Sequence, residues 1–104
     1  MLEVNSDTFK QEVVQSEKPV VVDFWGPRCA PCLALMPHVE ALEATCGDKV
    51  KFVKVDASKN RRLCLELKVL GLPTYLFYKN GEGVARLTGE IRIQDIEEHI
   101  RKIA

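Results

Sequence analysis

A chain of 104 residues fits one domain, expected to span 1–104, and is long enough to bury a hydrophobic core without metal or disulfide staples. Hydrophobic residues make up 46% and charged residues 29%, the balance of a globular protein rather than a disordered or membrane-embedded one. Lys plus Arg equals Asp plus Glu at 15 each, which argues against a nucleic-acid binder with a basic footprint and against electrostatic docking on an anionic membrane.

Met1 to Asp7 shows neither a basic n-region nor an apolar h-region. A cytoplasmic location, where thiols stay reduced, is therefore expected. Asn5 and Ser6 are candidate caps for a first helix carrying Phe9, Val13 and Val14 on one side. Pro19 follows it. Val20 to Trp25 is a nearly continuous apolar run, which suits a strand covered on both faces. Gly26-Pro27-Arg28 breaks that strand. Leu35, Val39, Leu42 and Cys46 then recur at helical spacing, with Pro37 inside the helix predicting a kink and Gly47-Asp48 ending it. Val50 to Asp56 reads as a strand and Asn60 to Lys68 as a short helix. Thr74 to Tyr78 is rich in β-formers, Asn80-Gly81 is a hairpin signal, and Val84 to Thr88 is the returning strand. Ile93, Ile96, Ile100 and Ile103 define one face of a last helix. A parallel strand–helix–strand unit followed by an antiparallel hairpin predicts an α/β fold, a central mixed β-sheet flanked by helices on both faces. The chain shows no repeat, linker or low-complexity tract.

The chemically informative stretch is Trp25-Gly26-Pro27-Arg28-Cys29-Ala30-Pro31-Cys32. Two thiols two residues apart lie at the start of the proline-containing helix. There Cys29 meets unpaired backbone N–H groups and the positive end of the helix dipole, both of which favour thiolate over thiol. A thiolate at Cys29 attacks a disulfide to form a mixed disulfide, and Cys32, one turn on, can then attack Cys29. Pro31 sits in the first turn without wasting a donor. Zinc would need two further ligands at knuckle spacing, and Cys46, Cys64, His38 and His99 are scattered, so no metal is expected. Asp23 stands alone as an acid inside an apolar strand, where burial should raise its pKa.

These motifs come in a familiar order. Val22-Asp23-Phe24-Trp25, Cys29-Ala30-Pro31-Cys32, Pro37, Gly71-Leu72-Pro73-Thr74, Lys79-Asn80-Gly81 and Gly89 together resemble the thioredoxin family over essentially the whole chain. The resemblance implies a thioredoxin fold and a thiol–disulfide oxidoreductase that reduces protein disulfides by dithiol–disulfide exchange. In it Cys29 is the nucleophile and Cys32 the resolving cysteine. It further implies a cis bond before Pro73 beside the disulfide, and a Leu72 backbone open to an extended substrate segment. Trp25 would flank the site and Gly89 would share the docking surface. Asp23 would shuttle a proton for Cys32, with Lys54 on the neighbouring strand as its partner. No cofactor beyond the Cys29–Cys32 disulfide is implied. The implied partners are disulfide-containing proteins and an electron-donating reductase such as a thioredoxin reductase; zero net charge and one small domain predict a monomer.

The sequence departs from the family in three places. Ala30 stands where Gly is usual, Arg28 where Trp is usual, and Glu90 follows Gly89 where a small residue is common. Arg28 and Ala30, with Pro31, belong to the expected substrate-binding face, and all three departures bear on partner choice rather than on the chemistry. Glu90 is a candidate ion-pair partner for Arg28. Cys46 and Cys64 read as small apolar core residues and His38 and His99 as surface residues. Two competing functions stay open at this point: an oxidase or isomerase running the same thiols in the other direction, and a non-catalytic interaction module built on the same fold.

Overall fold

The computed structural model describes residues 1–104, and its strands form one five-stranded sheet in the order β1-β3-β2-β4-β5. The strands are β1 (Leu2–Glu3), β2 (Val20–Trp25), β3 (Lys51–Asp56), β4 (Thr74–Lys79) and β5 (Glu82–Thr88). β1 and β2 both run parallel to β3, while β4 lies antiparallel to β2 and β5 antiparallel to β4. The sheet is mixed, as the strand order in the sequence requires. β3, β2 and β4 are the inner strands, and the apolar runs of β2 and β4 are buried at nearly every position because helices cover both faces. The turn at Asn80 and Gly81 has positive φ at both residues, 54° and 81°, the backbone of a tight hairpin.

Three α-helices complete the fold: α1 (Ala30–Cys46), α2 (Arg61–Glu66) and α3 (Ile93–Ile103). One core joins Val20, Val22 and Phe24 of β2 to Phe9, Val13, Leu63 and Cys64. The other joins Val21, Phe52, Tyr75 and Phe77 to Val39 of α1 and to Ile96, Ile100 and Ile103 of α3. Alternation along β2 therefore sends Val21, Asp23 and Trp25 toward the α1–α3 layer and their neighbours toward the opposite one. α1 remains α-helical through Pro37, whose missing N–H leaves the Leu33 carbonyl without its helical donor.

The N-terminus departs from expectation twice. β1 was not foreseen, and the expected first helix is a five-residue π-helical turn, Lys10–Val14. Asn5 caps the turn that leads into this segment, accepting the N–H groups of Asp7 and Thr8 at 2.9 and 3.1 Å, while the π-helical turn itself has Phe9 at its N-cap and no side-chain cap. Ser6 is not a cap; its N–H and hydroxyl both donate to Asn60 Oδ1 and tie the segment to α2. His99 is also not a free surface residue. Its ring stacks on Phe77 with centroids 5.0 Å apart, and Nδ1 lies 2.8 Å from the Asp95 carbonyl oxygen.

Candidate active site

β2 ends at Trp25, and the loop to α1 turns on Gly26, a residue whose missing side chain matters. A Cβ there would lie 3.2 Å from Leu72 Cδ1, so glycine lets the Leu72–Pro73 segment close against the loop. Cys29 follows as the N-cap of α1, with an extended backbone. Its Sγ accepts the Cys32 N–H at 3.3 Å, so the sulfur occupies the place of a capping oxygen. Pro31 falls in the first turn, where no donor is lost. Cys29 and Cys32 form a disulfide with their Cα atoms 5.3 Å apart. Cys29 is half-buried, whereas Cys32 is 0% exposed.

The Leu72–Pro73 peptide bond is cis. Neither the N–H nor the C=O of Leu72 makes a hydrogen bond, so this stretch of backbone is free to pair. Two open grooves flank it. One, of about 680 Å³, runs between Arg28, Cys29, Ser58 and Leu72. The other, of about 540 Å³, lies between Pro31, His38, Pro73, Gly89 and Glu90. Arg28, Ala30 and Pro31 are exposed around the disulfide. Arg28 and Glu90 do not pair: they border different grooves, and neither takes part in any of the ion pairs of the structure.

Asp23 is 1% exposed on the face of β2 that α1 covers. It lies opposite Lys54 in the β2–β3 pairing and opposite Tyr75 in the β2–β4 pairing. Burial pushes its carboxyl from 3.8 up to about 7, against the Tyr75 hydroxyl and the Lys54 ammonium, which both pull it down. Lys54 is partly buried, with Nζ 5.5 Å above the centre of the Trp25 ring, a cation–π contact that holds the side chain against the site. The sequence thus placed Trp25, Cys29, Ala30, Pro31 and Cys32 together by adjacency, and the fold brings Asp23, Lys54, Leu72, Pro73 and Gly89 to the same end of the sheet. Tyr75 was missed. Read only as a β-former, it faces the buried acid from β4, as Lys54 does from β3.

No three His, Cys, Asp or Glu side chains converge to hold a metal ion. Cys46 and Cys64 are free thiols packed in the two cores, and burial pushes the Cys64 thiol up. A disulfide closed across the first turn of a helix, with one cysteine half-buried and the other fully buried, is the working group of a thiol–disulfide oxidoreductase.

Comparison with known proteins gives the same class. The family model described as Thioredoxin matches residues 1–102. Thioredoxin from Acetoanaerobium sticklandii is 49% identical over 90 residues, 86% of each chain. Thioredoxin from Peptoclostridium acidaminophilum is 44% identical over 88 residues, 85% of this chain and 80% of that one. Thioredoxin 1 of a Nostoc species is 34% identical over 102 residues, 94% of this chain and 95% of its own. The chain belongs to the thioredoxin family. It is a thiol–disulfide oxidoreductase of the protein-disulfide reductase type, and disulfide substrates and an electron-donating reductase are its partners in general terms.

Proposed function

We propose that Cys29 is the attacking and Cys32 the resolving cysteine of this reductase. The observation that carries the assignment is the contrast between a half-buried Cys29 at the α1 N-cap and a fully buried Cys32 one turn on. In the dithiol form the Cys29 thiolate attacks one sulfur of a substrate disulfide, and the other sulfur leaves as a thiolate that takes up a proton. Cys32 gives its proton to the Asp23 carboxylate, and its thiolate attacks Cys29 Sγ. The Cys29–Cys32 bond forms, the mixed disulfide breaks, and the second substrate thiolate departs. Two electrons have passed to the substrate, so no added cofactor is required. Asp23, pushed up to about 7, is matched to accept a proton near neutrality, with Lys54 beside it. Substrate backbone pairs with Leu72 beside Pro73, bordered by Trp25, Arg28, Ala30, Pro31 and Gly89. A dithiol-donating reductase returns the couple to its reduced form. The protein acts as one domain, 1–104, and as a monomer. The two unpaired core cysteines fit a reducing compartment such as the cytoplasm, which cell fractionation checks.

The test uses reduction of a protein disulfide at saturating electron donor. Cys29→Ser should fall to the uncatalysed rate, and Cys32→Ser should accumulate mixed disulfides visible by mass spectrometry. Retained turnover in Cys29→Ser, or no trapped adduct in Cys32→Ser, would reverse or remove these roles. The reducing direction predicts a Cys29–Cys32 midpoint potential at or below that of the glutathione pool. A markedly more oxidising value would favour the oxidase or isomerase reading.

A further inference from the structure

Only four buried side-chain polar atoms in the molecule lack a hydrogen-bond partner: both carboxylate oxygens of Asp23, the Tyr75 hydroxyl oxygen and Trp25 Nε1. Such orphans are rare in folded proteins, because each leaves its desolvation uncompensated. Three of these four belong to one facing pair. Asp23 and Tyr75 are directly opposed in the antiparallel β2–β4 register, so their side chains leave the same face of the sheet toward α1 and α3. One has only acceptors when ionised and the other has an O–H to give. Trp25 offers a donor on the same face but lies two residues along β2, roughly 7 Å further on. The Tyr75 hydroxyl is near enough to pull the Asp23 carboxyl down, although no hydrogen bond with full geometry closes between them in the disulfide form.

We propose that Tyr75 is a positioning residue for disulfide reduction: its hydroxyl donates to the Asp23 carboxylate and holds that group under the first turn of α1, where it serves Cys32. The inference rests on the reading of Asp23 as the group that takes the Cys32 proton. It adds a donor from β4 to the ammonium from β3, so the acid is gripped from both neighbouring strands. The groups facing Asp23 are then Lys54 from β3, Tyr75 from β4 and, in the dithiol form, Cys32 from α1. α3 contributes apolar isoleucines to this layer, and its His99 is turned onto Phe77, which pairs with Val21 rather than Asp23. The Tyr75 phenol keeps its proton throughout, since burial and the Asp23 charge both push it far up. It therefore donates to Asp23 and does not relay the proton onward.

Tyr75→Phe removes the donor and keeps the ring that packs the core. The readout is the titration midpoint of Asp23 in the reduced protein, followed by carboxyl carbon NMR, together with the pH dependence of disulfide reduction. Loss of a hydrogen bond to the charged form should move the midpoint upward by about one pH unit. The acidic limb of the rate profile should move with it, while a protein with merely loosened packing would lose rate at all pH values alike. An Asp23 midpoint unchanged in Tyr75→Phe overturns the proposal whatever the kinetics do. The Asp23→Asn variant tests the underlying reading separately. If it keeps the wild-type rate and profile, the role of Asp23 falls, even where the Tyr75-dependent midpoint shift is present.

Discussion

Asp23 sets the residue-scale energetics because its carboxyl is buried without a bonded partner. In the unfolded chain it titrates near the ordinary 3.8, and in the fold burial pushes it up to about 7. Between those values the folded protein holds a proton that the unfolded chain has released. Stability therefore falls as pH rises from about 4 to about 7 and levels off above, the reverse of a salt-bridged carboxylate. The gap between the two values corresponds to about 4 kcal/mol as a ceiling. We expect Asp23→Ala to stabilise the oxidised protein by about 2–4 kcal/mol at pH near 8 and by much less at pH near 4. Urea denaturation across that range checks it, and a stability difference independent of pH would show that Asp23 does not titrate there. On the role proposed for Asp23, this is the residue at which stability is given up for an acceptor of the Cys32 proton. Cys64 shows the opposite use of burial. Its thiol is pushed up inside the core, so an alkylating reagent at neutral pH should label Cys29 of the reduced, folded protein well before Cys64. Peptide mapping of the labelled cysteines reads the order directly.

At the scale of elements, local chemistry carries the β4–β5 hairpin. Gly81 holds φ at 81°, and a Cβ there would stand 2.9 Å from the Val14 carbonyl oxygen. Gly81→Ala then meets both an unfavourable backbone region and a backbone clash with the π-helical turn. A loss of about 2 kcal/mol is expected, seen as a drop in Tm with activity retained below it. A variant as stable as the parent would mean that the turn relaxes freely away from Val14. The hairpin was legible because Asn-Gly is a two-residue signal for a two-residue structure. β2, α1 and α3 were legible for a related reason: each carries its own period or apolar run over six or more residues. β1 carries none. Its two residues become a strand only by pairing with Val53 and Lys54 of β3, a tertiary fact. The spacing of Phe9, Val13 and Val14 fits any helical turn and could not separate an α-helix from the π-turn found. The site divides the same way. The cysteine motif is contiguous, whereas the Asp23–Tyr75 register joins strands separated by α1, β3 and α2. A tyrosine hydroxyl in register with the acid of the neighbouring apolar strand was the signal, and reading it required the β2–β4 pairing.

For the whole molecule, the telling feature is that one sheet is shared by two cores. β2 gives Val20, Val22 and Phe24 to the layer under α2 and Val21 to the layer under α1 and α3, and β4 divides its residues likewise between Leu76 with Tyr78 and Tyr75 with Phe77. Melting either layer strips one face of the same strands and leaves the other face without support. The two layers should therefore unfold together, as expected of a single domain of this size. Ile96 is completely buried in one core, and Leu63 is buried in the other. Ile96→Ala and Leu63→Ala should each destabilise by about 3 kcal/mol through lost burial and the cavity left behind. In both variants the transition should stay single, with Trp25 fluorescence and far-UV circular dichroism coinciding. Trp25 reports from the α1–α3 side, while the dichroism averages the whole chain. A Leu63→Ala protein whose dichroism changes before its fluorescence would show that the α2 layer opens alone. The cysteine end of the sheet would then be held by α1, α3 and the strands without it, and the fold would be two cooperative units rather than one.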